Sequence, residues 1–309
     1  MTAGWVAATI RGRALLRSSM GTPTARRIAS ATSWEAARRD LGATVFGRGL
    51  GGAEDRAAAR ASAGASTVWQ LRVLAGWAPP TDTALVRVAA GPIEIGNIEQ
   101  HLARCAGGVE VAPPVPLGSL GIAWPRAGHA DSAAAVRQVL RRSAWGDPGG
   151  DGPEAVALGL RLAWLRRVLR ADPATRPWVL GAMAVVVARE RFTFERDISP
   201  ITAREIVRFL PPGTPTSGSL PQLLGRLPAV ARWPFDGVGT ADELWQAEAA
   251  VLRRVAADAH RRVSSARAGR ATFTAILASL LIDLWRARAA IELAGHGDLG
   301  GEVFDAVAA

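Results

Sequence analysis

Residues 69–107, WQLRVLAGWAPPTDTALVRVAAGPIEIGNIEQHLARCAG, read as helix, Pro-Pro turn and second helix. Trp69, Val73 and Trp77 recur every four residues, which places them on one face of a helix that ends before Pro79 and Pro80. Beyond the turn, Leu85, Val88, Ile95, Ile98 and Leu102 follow at spacings near 3, 4 and 7, the signature of a second helix. Glu94 and Asn97 stand three apart on it and project side by side. Neither helix carries a catalytic constellation. The pattern suits a helical scaffold that fits against a partner.

Working outward, the same alternation of helix and punctuation fills the chain. The sequence predicts helices over 3–18, 34–41, 132–142, 154–171, 177–190, 220–227, 241–267 and 272–294, with an Ala-rich stretch over 53–65 ahead of the pair above. Gly21-Thr22-Pro23 is expected to end the first, and Ser33 to cap the second. VAPPVPLG (111–118) and the Pro-, Gly-, Ser- and Thr-rich stretch 211–221 read as links. Long strand signatures are absent, so the expected class is all-α.

A weak internal repeat runs through these elements. Ser33, Ser132 and Ser219 are each followed eight residues on by leucine: Leu41, Leu140 and Leu227. Phe46-Gly47, Trp145-Gly146 and Trp233-Pro234 lie just beyond. Each copy then has a long helix and a second, more apolar one, in which an acid precedes a polar residue by three: Glu94/Asn97, Glu190/Thr193 and Asp283/Arg286. The expected organisation is one domain spanning 1–309, made of three helical repeats over roughly 1–115, 116–210 and 211–309.

Composition limits the chemistry. The 309 residues, 49% of them hydrophobic, suffice for a sizeable core. All 37 Lys-plus-Arg positions are arginine, and tyrosine is absent, a usage typical of GC-rich coding that accounts for part of the basicity. The net charge of +10 favours an acidic protein, an anionic lipid surface or nucleic acid as neighbour. A single cysteine, Cys105, excludes an intramolecular disulfide and fits a reducing compartment; near a helix end, it reads as a small buried apolar residue. The N-terminus lacks the apolar core of a signal peptide. WVLGAMAVVVA (178–188) is too short to span a bilayer, and 273–294 is interrupted by Asp283, Arg286, Arg288 and Glu292; both read as buried helices.

Motifs for specific chemistry fail on context. Gly47–Gly52 matches G-x-G-x-x-G, but no second strand follows it, so it reads as a flexible turn. Walker A, H-E-x-x-H, G-x-S-x-G and C-x-x-C are missing, and His101, His129, His260 and His296 are scattered helix-surface or loop residues. The segment 253–270 holds Arg253, Arg254, Arg261, Arg262, Arg267 and Arg270 against Asp258 alone. Trp245, Leu252, Val255, Ala259 and Val263 form the opposite, apolar stripe of that helix. It reads either as a solvated face or as a basic surface for acidic protein loops or lipid head groups. Nucleic acid is a weaker third reading and is not expected as a partner, because no recognised DNA-binding motif, aromatic stacking platform or basic tail accompanies it. No small-molecule substrate is expected.

Four stretches together resemble the C/d subunit family of V-type and A-type rotary ATPases, in a divergent actinobacterial form. They are GWVAATIRGRALL (4–16), SWEAARRDLGATVFG (33–47), VRVAAGPIEIGNIEQHLARCAG (86–107) and LLIDLWRARAAIELAGHGDLGGEVFDAVA (280–308). Their order and spacing carry the resemblance, which is weakest over 150–240. Trp5 and Phe46 stand where the family has tyrosine, Pro92 interrupts a helix expected to be continuous, and Arg286 replaces an expected asparagine.

The resemblance implies a funnel of three helical subdomains, peripheral on the cytoplasmic face of the plasma membrane. Such a subunit is itself non-catalytic and needs no cofactor. It links the membrane rotor ring to the central axle and transmits torque for proton or sodium transport. Glu94, Asn97, Asp283 and Arg286 are the candidate axle-facing or inter-repeat contacts, and Arg253, Arg254, Arg261 and Arg262 the candidate ring-docking face. Ring proteolipids, axle subunits and anionic head groups are the expected partners. The alternative is an α-helical repeat scaffold that binds an acidic protein outside any ATPase.

Overall fold

The computed structural model describes residues 3–50, 55–108, 113–265 and 267–308. Among them every regular element is helical and no strand occurs, so the all-α expectation holds. The helices are α1 (Ala3–Leu16), α2 (Gly21–Ala29), α3 (Trp34–Gly42), α4 (Arg56–Trp77), α5 (Thr83–Cys105), α6 (Trp124–Ala127), α7 (Ala133–Arg141) and α8 (Pro153–Ala171). They continue with α9 (Arg176–Ala188), α10 (Pro200–Ile206), α11 (Leu220–Arg226), α12 (Ala229–Arg232), α13 (Leu244–Ser264), α14 (Arg270–Leu293) and α15 (Asp298–Ala308). The chain forms two compact units: Met1–Ile93 with Val111–Leu120 and Leu252–Ala309, and Glu94–Glu110 with Gly121–Val251.

In the first unit α14 is the central element and packs on α1, α2, α4 and α15. Phe273, Ile276, Leu280, Leu284 and Ile291 are buried along it, and Trp5 meets Phe273 edge-on with ring centroids 5.5 Å apart. The second unit is built around α9, nine of whose 13 residues are buried, packed on α8 and α12. Ile95, Ile98 and Leu102 of α5 join Val136, Leu140 and Trp145 in an adjoining cluster of that unit. At Gly159 a Cβ would lie 2.2 Å from the Pro148 carbonyl oxygen, so only glycine permits that approach of α8.

The serine repeat has a local structural counterpart. Ser33, Ser132 and Ser219 are all extended N-caps whose hydroxyls accept from the backbone N–H three residues on, at 3.2, 3.3 and 3.3 Å. Leu41, Leu140 and Leu227 are all buried. In the first two copies a second hydroxyl, Thr44 or Ser143, donates to the carbonyl of that leucine and accepts from the N–H of the buried aromatic, Phe46 or Trp145. The third copy has Val230 at the corresponding place, so this second bond is missing there.

Several expectations need correction. Gly21 does not end the first helix: α1 stops at Leu16, where Ser18 and Ser19 hydroxyls take up the Leu15 and Leu16 carbonyls, and Gly21 opens α2. Helix α5 runs unbroken through Pro92. Trp69 and Trp77 belong to the outward face of α4, at 42% and 51% exposure, because Leu71 and Leu74 fill the core instead. Arg48 stacks over Trp69 at 4.5 Å. Trp245 is exposed and does not complete an apolar stripe on α13. Cys105, the last residue of α5, is exposed, whereas His101 one turn earlier is buried with its Nε2 2.7 Å from the Ala130 carbonyl. Of the glycine-rich run, Gly47 closes a 3-10 turn and Gly49 is left-handed, while Gly51 and Gly52 lie outside the described residues.

Candidate functional site

Glu94 enters the second unit from the middle of α5 and is buried to 1% exposure. Its Oε1 accepts three backbone N–H bonds, from Ile122 at 2.8 Å, Ala123 at 2.6 Å and Trp124 at 2.7 Å. Ala123 and Trp124 carry orphan donors at the start of α6 and Ile122 directly precedes them, so a side chain about thirty positions away along the chain serves as the cap. Asn97, one turn on, is also buried. Arg167 feels the Glu94 charge: burial lowers the guanidinium's pKa and Glu94 opposes that shift. Arg167 also donates to the Ala144 carbonyl at 3.1 Å and lies over the Trp145 ring at 5.1 Å.

Asp283 does comparable work in the first unit. From the middle of α14 its two oxygens accept the N–H groups of Met20 and Gly21, each at 2.9 Å, at the start of α2. Burial pushes the Asp283 carboxyl up, against the lowering effect of those two bonds and of nearby Arg286. Arg286 in turn donates from Nε to the Ala308 carbonyl at 3.2 Å, which ties α15 to α14. Glu94 and Asp283 thus each fasten a helix start and Arg286 a helix end within their own units, while Asn97 is buried one turn from Glu94. Buried or half-buried, they present little to a partner.

Glu190, the middle acid of the series, lies on a single π-helical turn, Arg189–Thr193, that ends α9. It is 5% exposed and caps no helix; Arg196 Nη1 stands 3.8 Å from its Oε1. Glu195 beside it has φ +52°, a left-handed conformation unusual outside glycine. Burial holds the Glu190 carboxyl above the usual carboxylate range, with Arg196 opposing. A raised carboxyl pKa adds stability that is full below the unfolded value and lost as pH rises through the folded one. E190Q abolishes this titration, so its unfolding midpoint should gain on wild type as pH rises from about 4 to 7. A constant difference across that window would contradict the assignment.

The arginine face is accessible. Arg253, Arg254 and Arg261 of α13 are exposed and Arg262 half-buried. Asp258 pairs with Arg254 at 3.8 Å and with Arg261, so one acid is shared between two cations. Arg253 donates to the Ala306 carbonyl at 3.2 Å. Past the end of α13 an open depression of about 410 Å³ is lined by Asp258, Arg261, Arg262, Ser265 and Arg267. Arg13 of α1 donates to the carbonyl of Ser265, one of these lining residues. Arginine density marked this face in the sequence; the bond from Arg13, 252 positions away, had no local signal.

Among the described residues no group of three or more His, Cys, Asp or Glu side chains is placed to hold a metal. A cavity between α8 and α10, beside Gly159 and Met183, measures about 30 Å³, room for a water molecule but not a substrate. Among the described residues no helix is long and apolar enough to cross a membrane. No protein-family model matches the chain, and no curated protein matches it.

Proposed function

We propose that this chain is a central-stalk coupling subunit of a V/A-type rotary ATPase, seated at the cytoplasmic face of the plasma membrane between the rotor ring and the central axle. On this reading it catalyses nothing, and three helical repeats arranged as a funnel carry torque by rigid packing. The observation that supports it most is the recurrence of one local design. Three serine caps share the same backbone geometry, each with a buried leucine eight residues on. In two cases, moreover, a buried acid from a second, more apolar helix caps the start of a short helix. Asp283 near the C-terminus caps a helix near the N-terminus, as expected if the last repeat hands on to the first.

The resemblance of 4–16, 33–47, 86–107 and 280–308 to the C/d family supplies the assembly. The arginine face supplies the surface for acidic ring loops or anionic head groups. The internal work of Glu94 and Asp283 moves the axle contact away from them and onto neighbouring exposed positions. Mixing the chain with central-axle subunits from the same organism should give a single complex on size-exclusion chromatography. Separate elution of the two would count against the axle contact and leave the scaffold reading, an acidic partner outside any ATPase.

A further inference from the structure

Helices α4 and α14 pack together in the first unit, and Arg56, Arg60 and Gly64 of α4 recur at four-residue spacing along the contact. Arg56 Nη2 donates to the Ala294 carbonyl at 2.7 Å, and Arg60 Nη1 pairs with Glu292 Oε1 at 2.5 Å. One turn further, Arg288 reaches the space that the missing side chain of Gly64 leaves. A Cβ there would sit 3.4 Å from Arg288 Nη2 and 2.8 Å from Val115 Cγ2.

Arg288 differs from its two neighbours in having no counter-group among the described residues. Its Nε is buried and makes no hydrogen bond. Glu292, the next acid along α14, is already engaged by Arg60. Burial lowers the pKa of the Arg288 guanidinium, and Arg60, a like charge, lowers it further. A half-buried cation facing another cation is costly unless an anion answers it. A guanidinium fork matches the two oxygens of a carboxylate or phosphate.

The geometry points to an oxyanion-binding site at Arg288, rimmed by Arg60 and roofed by Val115, that takes a carboxylate or phosphate group from outside the fold. This holds whether or not the chain works in a rotary ATPase. The test is thermal unfolding of the full chain at fixed ionic strength, with chloride replaced by phosphate on the order of 10 mM. Phosphate should raise Tm by about 2 °C. R288M, neutral and of similar length, should unfold no earlier than wild type in chloride and show no phosphate shift. R288K, which keeps the charge without the fork, should lose most of the shift. R87M, at an exposed arginine bonded to the Ser119 carbonyl, should keep it.

Acetate in place of phosphate separates the sources: a larger shift with acetate marks a carboxylate of a partner chain, and a larger one with phosphate marks a phosphoryl group. The site is refuted if wild type shows no shift with either anion, or if the shift survives R288M. Early unfolding of R288M in chloride would refute it too, because the guanidinium would then have a partner inside the chain.

Discussion

Truncation of Glu94 to alanine should lower the unfolding free energy by about 4 kcal/mol, because three backbone donors lose their acceptor at once. Each interior N–H left without a partner costs about 1–3 kcal/mol, and bonds to an ionised oxygen lie at the strong end of the range. No water replaces the oxygen cheaply at a position 1% exposed. E94Q keeps a carbonyl oxygen in place and gives up the charge, so its loss should be about 1–2 kcal/mol. Urea unfolding followed by tryptophan fluorescence reads both, since Trp124 and Trp145 lie in the same unit. A loss below about 1 kcal/mol for E94A would mean that the start of α6 is held by something else.

The second large effect concerns binding. Changing Arg253, Arg254, Arg261 and Arg262 together to glutamate turns a cationic face anionic while touching little of the core. If each arginine contributes up to about 1 kcal/mol to an acidic partner, their removal weakens binding by roughly a hundredfold, and like-charge repulsion adds to that. The wild-type interaction should itself weaken as salt rises, since these charges face solvent. A quadruple variant that folds normally and binds the rotor ring with unchanged affinity would move the docking surface elsewhere.

Local patterns in the sequence carried the helices well. Ser33, Ser132 and Ser219 announce their caps because the bond reaches only three residues. Leu85, Val88, Ile95, Ile98 and Leu102 of α5 are all buried as their spacing announces, although Val86, Ala89, Ala90 and Ile93 are buried beside them. Helix α4 misleads. Apolar side chains occur all around it, so periodicity alone does not say whether Trp69 and Trp77 or Leu71 and Leu74 face inward. The core resolves it in favour of the leucines.

The candidate contacts illustrate a different limit. The Glu94/Asn97 and Asp283/Arg286 spacings were legible, yet the acids' partners were not, since those lie 28 to 30 and 262 to 263 positions away. A buried carboxylate that caps a distant helix and a carboxylate that faces a partner look alike in one dimension. Cys105 and His101 exchange their expected environments because α5 ends at Cys105: the last residue swings into solvent while His101 finds the Ala130 carbonyl. Arg288 likewise gave no sign in the sequence of lacking a counter-charge.

Co-purification with the detergent-solubilised rotor ring, after co-expression with ring and axle subunits of the same organism, tests the coupling role most directly. The chain should remain with the ring through affinity capture and size exclusion at low salt. It should dissociate as salt is raised, and be absent when the four arginines are reversed. Elution of the unmodified chain away from the ring at every salt concentration would contradict the rotary-ATPase assignment.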